Sequence, residues 1–179
     1  MMAQTTKMQT ALKWGGIMGL ALTIVSLLLY LSGIVEAGTN KGSTLSTILS
    51  YIISIGSIFL GIQAYRKGNN DNLTIGDGVV LGMLIGIVGG VVIALYNALY
   101  LTVLDSSALE MIKEQAMASV GEMDPDQEEQ AQSWINAFTS LPAICMMLVI
   151  MKFFLGLVIG LISGLILQNE GNEYPDLTV

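Results

Sequence analysis

Four long apolar runs, 14–35, 45–65, 79–103 and 141–167, alternate with polar stretches along the chain. A helix needs about 20 such residues to cross a hydrocarbon core of about 30 Å, and each run meets that length. The pattern predicts an all-α polytopic membrane protein, with four transmembrane helices in a single domain covering 1–179. The first run follows Lys7 and Lys13, and Val35-Glu36-Ala37 offers a faint cleavage motif. Signal sequences have shorter apolar cores of about 7 to 15 residues, so an uncleaved helix is expected.

The polar stretches differ in kind. The first, 36–44, is short and rich in glycine and small polar residues, and the second, 66–72, contains Gly68-Asn69-Asn70. Connections this short set consecutive helices side by side and antiparallel. The third, 105–140, carries helical signals of its own. Asp105, Ser106 and Ser107 can cap a helix with an apolar side of Leu109, Ile112, Ala116 and Val120, which Gly121 is placed to end. Asp124 as N-cap, Pro125 at the first helical position and Gln127 as reciprocal capping partner begin a second, with an apolar side of Ala131, Trp134, Ile135 and Phe138. An extramembrane amphipathic helical hairpin between the third and fourth membrane helices is the expectation. Its apolar side can rest on the rim of the bundle or at the lipid headgroups with Trp134 as anchor, or dock a partner.

Composition supports the membrane assignment, with 53% hydrophobic and only 12% charged residues against about a quarter charged in ordinary soluble domains. The net charge of −7 is concentrated: eight of the fourteen acids, Asp105, Glu110, Glu114, Glu122, Asp124, Asp126, Glu128 and Glu129, lie in the third connection. Such a chain is not expected to bind nucleic acid. Lys7, Lys13, Arg66 and Lys67 fall on one side of the membrane and Lys41, Lys113 and Lys152 on the other. The dense Arg66-Lys67 pair places both termini in the cytoplasm under the positive-inside rule.

Glycine spacing predicts where helices touch. Gly78, Gly82, Gly86 and Gly90 recur every four residues in the third run, as do Gly156, Gly160 and Gly164 in the fourth. Small residues at this interval let backbones approach closely, so the two ladders suggest a close pair. A four-residue step advances 400°, so Gly78 to Gly90 turns through about 120° on a straight helix. Part of that ladder is therefore expected to meet the first or second helix, or a second copy of the chain.

Polar residues within or beside the spans are few. Asp77 is expected to cap the third helix at the cytoplasmic interface. Lys152 lies about 24 Å along a helix from Gln168 and is expected to snorkel to the outer interface, with a place on an ion or ligand path as the alternative. Asn97 is expected to make an interhelical hydrogen bond, beside Tyr96 and Tyr100 in an aromatic belt. Histidine is absent and Cys145 is the lone cysteine. No catalytic or phosphate-binding motif is present, and no metal, cofactor or enzymatic activity is expected.

Ala11-Leu12-Lys13-Trp14-Gly15, Gly61-Ile62-Gln63-Ala64-Tyr65-Arg66, Leu73-Thr74-Ile75-Gly76-Asp77-Gly78 and the acidic stretch before the last helix together resemble a bacterial family catalogued as domain of unknown function 4199. The chain has Ile-Gly-Asp at 75–77 where the family pattern would have Phe-Gly-Glu. The resemblance implies a small four-helix inner-membrane protein of Gram-negative bacteria and implies no activity. The leading functional expectation is a non-catalytic anchor or scaffold whose acidic hairpin meets an envelope protein in the periplasm. The alternative is a small dimeric transporter or channel with Lys152 and Asn97 near a solute path.

Overall fold

The computed structural model describes residues 6–35, 42–105, 107–120 and 124–169. The proposed cleavage motif beyond Val35, Lys41, Ser106, Gly121 and Glu122 lie outside them. Among the described residues six α-helices follow one another: α1 (Lys7–Leu31), α2 (Ser43–Gly68), α3 (Ile75–Leu99), α4 (Ala108–Val120), α5 (Pro125–Phe138) and α6 (Leu141–Leu167). Among the described residues there is no strand, and α1, α2, α6 and α3 with its extension are long and apolar enough to cross a membrane.

Helix ends follow the local sequence. Thr6 accepts from the Gln9 amide while the Gln9 side chain accepts from the Thr6 amide, so α1 starts at Lys7, ahead of the apolar run. Thr74 and Asp77 make the same reciprocal pair at the start of α3. These contacts satisfy amide hydrogens that the first helical turn leaves without partners. Asn70 and Asp71 adopt the left-handed conformation in the tight connection after α2, which Asn and Asp tolerate better than most residues. At the other end of α3, Tyr100–Leu104 widens into a π-helical turn closed by the Asp105 amide donating to the Tyr100 carbonyl at 2.9 Å.

The α3 helix is the most enclosed of the four and packs on α1, α2 and α6; α2 also touches α1 and α6. Met18, Ile58, Ile62, Leu81 and Ile85 fill the centre, with Trp14 and Phe59 packed against them. Large apolar side chains also cover the outside, including Leu20 and Ile24 on α1, Ile52 and Ile55 on α2, Leu95 on α3 and Phe154 and Ile162 on α6. A bundle apolar within and without is matched to a lipid solvent. At one end, Leu73 and Asn169 exchange backbone hydrogen bonds of 3.0 and 3.1 Å, tying the α2–α3 connection to the residues after α6.

The helices α4 and α5 touch each other, and α5 leads into α6. Asp124 is the N-cap of α5, yet its side chain makes no capping hydrogen bond. The Gln127 amide donates instead to the Asp124 carbonyl at 2.9 Å. The reciprocal capping expected there is therefore replaced by a backbone turn.

Candidate functional site

The glycine ladders determine where the polar residues of α6 point. A Cβ added at Gly78 would lie 2.7 Å from the Gly164 Cα, and one at Gly160 would lie 2.6 Å from the Gly78 carbonyl oxygen. Additions at Gly82 and Gly156 would collide with each other's backbone. Further along, Gly86 faces Gly156 and the Lys152 carbonyl, and Gly90 faces Val149 and the Lys152 Cβ. All four α3 glycines therefore meet α6, correcting the expectation that the ladder drifts onto another helix. A neighbour that crosses along the four-residue ridge follows its inclination, so the stripe stays covered. Instead α1 uses a separate set: Gly15 and Gly19 lie under Val88 and Val92, beside the carbonyls of Ile85 and Gly89.

Lys152 is four residues before Gly156 and occupies the next rung of the α6 ladder. Its backbone is pressed against α3, and its side chain leaves sideways toward α2. There Nζ donates to Ser50 Oγ at 3.0 Å and to Ser54 Oγ at 2.9 Å. Ser54, itself buried, donates to the Ser50 carbonyl at 2.7 Å. The expected snorkelling is thus replaced by a tie between α6 and α2, because two hydroxyls stand within reach at the depth of the lysine itself. No carboxylate pairs with Lys152 among the described residues. The group sits in a groove of about 570 Å³ between α2 and α6, lined on α2 by Ser46, Thr47, Ser50 and Tyr51 and on α6 by Leu148, Met151, Phe154, Leu155 and Val158.

A smaller cavity of about 170 Å³ is lined by Ser26, Tyr30, Ser46, Tyr96, Asn97 and Tyr100, among others. Among the described residues Asn97 shows no bond to another helix: its Nδ2 donates to the Ile93 carbonyl one turn back at 2.9 Å. In an apolar helix the nearest acceptor is its own backbone, and one of the two amide hydrogens goes there. Tyr30 and Tyr100 meet edge to face with ring centres 5.1 Å apart, closing α1 onto α3. The Tyr100 hydroxyl donates to Asp105 at 3.4 Å, while Asp105 also accepts from Ser107 and from the first amide of α4. Lys152 and Asn97 therefore lie in different cavities, which share Ser46 in their walls.

At the opposite end, Asp77 accepts from the Thr74 amide and hydroxyl at 3.1 and 2.8 Å and pairs with Lys7 of α1. Asp77 thus caps α3 and also clips α1 to it. Sequence reasoning found the cap and missed Lys7, Ser50 and Ser54 as partners. The regular spacing of Ser46, Ser50 and Ser54 was the available signal for the latter two.

A family model described as protein of unknown function (DUF4199) matches residues 13–169. No curated protein matches the chain, and no solved structure does.

Proposed function

The chain belongs to the DUF4199 family, and we propose that it is a non-catalytic anchor of a bacterial inner membrane that presents α4 and α5 to a protein partner in the envelope. The observation that carries this is the surface of those two helices. Glu110, Glu114, Asp124 and Glu129 are exposed, and near the end of α5 the rings of Trp134 and Phe138 stack 5.9 Å apart with about two thirds of each residue exposed. Exposed aromatics on a pair of helices that also expose acids suit a partner with basic and apolar surface. Such acids are repelled by anionic lipid headgroups, which disfavours lying flat on the bilayer. Both termini are then cytoplasmic and α4–α5 periplasmic.

The test is crosslinking in intact cells, followed by mild solubilisation and purification of the full chain. A specific partner should be recovered with the wild type and lost when 106–138 is replaced by a flexible linker. Recovery of the protein alone, or of the same partner from both forms, overturns the reading.

A second reading, a dimeric transporter or channel, is favoured by the ammonium of Lys152 held inside the span. It requires solute or ion flux in proteoliposomes that Lys152→Met abolishes.

A further inference from the structure

The groove between α2 and α6 has a direction. Both helices run from the α4–α5 end of the bundle toward the end where Leu73 pairs with Asn169. Ser46 and Thr47 of α2 with Leu148 and Met151 of α6 line the groove toward the α4–α5 end, Lys152 with Ser50 and Ser54 comes next, and Phe154, Leu155 and Val158 continue beyond. From Ser43 at the start of α2, Ser50 and Ser54 are about 10 and 16 Å along the helix, well inside the span.

A lysine ammonium has three hydrogens to donate. Two go to serine hydroxyls, which supply dipoles and no charge, and the third has no partner among the described residues. A charge at this depth is costly unless it is paired. The described residues around Lys152 offer no anion, and a bound anion would supply the counter-charge that holds the ammonium there.

We infer that the α2–α6 groove binds a long-chain carboxylate, its head on Lys152 and the Ser50–Ser54 hydroxyls and its alkyl chain along Phe154, Leu155 and Val158. The polar groups gather at and before Lys152 and the wall beyond it is wholly apolar, which matches the two ends of such a molecule. A small hydrophilic anion would face mostly apolar walls. An acidic phospholipid would have to draw its glycerol and phosphate about 10 Å below the first turn of α2, whereas a single-chain carboxylate needs to bury only two oxygens. Because Lys152 forms a rung of the glycine ladder, its position is fixed by the α3–α6 contact and does not depend on α4 or α5.

The experiment uses the full chain in nanodiscs of zwitterionic phospholipid, with palmitate as probe, read by native mass spectrometry and by competition against a labelled fatty acid. Wild type should retain palmitate. Lys152→Met should weaken it by about tenfold or more, the loss expected when a charge-assisted hydrogen bond is removed. Lys152→Arg should preserve most of the binding. Val158→Trp keeps the lysine and fills the lower groove, and should weaken palmitate several-fold. Methyl palmitate, which lacks the charge, and acetate, which lacks the chain, should not compete. Equal retention by wild type and Lys152→Met overturns the proposal. So does competition by acetate at palmitate's concentration, which would mark a simple anion site, or displacement by phosphatidylglycerol at equal mole fraction, which would mark a phospholipid site. Monodisperse elution and a melting temperature no lower than that of the ligand-free wild type separate lost binding from lost fold in each variant.

Discussion

Two faces of α6 meet two neighbours by opposite chemistry. Toward α3 it presents Gly156, Gly160 and Gly164, and the helices touch through backbone atoms with no side chain between them. Toward α2 it presents Lys152, Leu155 and Val158, and the helices are held apart by a groove and joined by two hydrogen bonds that one ammonium donates. The first contact gains from many close dispersion contacts, and the second gives up packing to make room. In a lipid solvent the hydrophobic effect does not drive apolar helices together. A close backbone contact is therefore where stability is concentrated, and a loose polar one is where a ligand can enter.

The largest effect should come from destroying the close face. Gly82→Leu places a branched side chain where even a Cβ collides with the Gly156 backbone. The variant should lose about 3 kcal/mol or more, since an overpacked site with no flexible neighbour cannot relax. The checks are loss of the monodisperse peak in detergent and a collapse of the melting transition. Gly82→Leu that is as stable as wild type would dispose of the α3–α6 ladder.

A smaller step sharpens the same comparison within one residue type. Gly86→Ala adds one methyl against the Lys152 carbonyl, whereas Gly56 on α2 has open space around the same position. Gly86→Ala should destabilise by about 1 to 3 kcal/mol, and Gly56→Ala should be neutral or stabilise by up to about 1 kcal/mol through helix propensity alone. Melting curves of the two variants in the same detergent decide it. Equal shifts would mean that glycine position does not matter.

How far this contrast was legible in the sequence depends on the face. The four-residue repeats named the α3–α6 pair directly, because a Gly every four residues in an apolar run has little purpose other than close approach. The expected drift of about 120° failed because it assumed straight helices with a fixed neighbour, whereas the partner crosses along the ridge. Extending the α6 repeat by one step would have placed Lys152 on the ladder, inside the bundle. The α2 face was harder to read. Helices apolar on every side carry no stripe to mark the inward face, so the spacing of Ser46, Ser50 and Ser54 could not say which neighbour they meet. Asn97 failed for a related reason, since a local backbone acceptor competes with any interhelical one. Asp77 was legible because its role is settled within three residues of Thr74, although Lys7, its partner on α1, is distant in sequence.

The loose face should respond with the opposite sign when its charge is removed. Lys152→Met deletes an ammonium without a counter-charge and leaves a side chain of similar length against the apolar wall. In the ligand-free protein it should be neutral or should stabilise by about 1 to 2 kcal/mol, as replacement of buried charge by hydrophobic residues often does. A melting temperature lowered by several degrees would mean instead that the bonds to Ser50 and Ser54 contribute to the fold as strongly as the glycine ladder.

The smallest effect is the coupling between Lys152 and the hydroxyls, and only a double-mutant cycle isolates it. Ser54→Ala alone removes one acceptor from the ammonium and also the bond its own hydroxyl donates to the Ser50 carbonyl at 2.7 Å. The single variant therefore mixes two losses, and a carbonyl already bonded within its helix feels the second only weakly. In the Lys152→Met background the ammonium is gone, and Ser54→Ala reports the intrahelical loss alone. The difference between the two backgrounds should be about 0.5 to 1.5 kcal/mol, in the range of a hydrogen bond involving a charged donor inside an apolar bundle. Ser57, one turn further along α2 and not bonded to the lysine, supplies the reference. Ser57→Ala should give the same shift with Lys152 or Met at that position. A coupling near zero for Ser54, equal to that of Ser57, would show that the lysine stands in the groove without being held, and that α2 and α6 are joined by apolar contact alone.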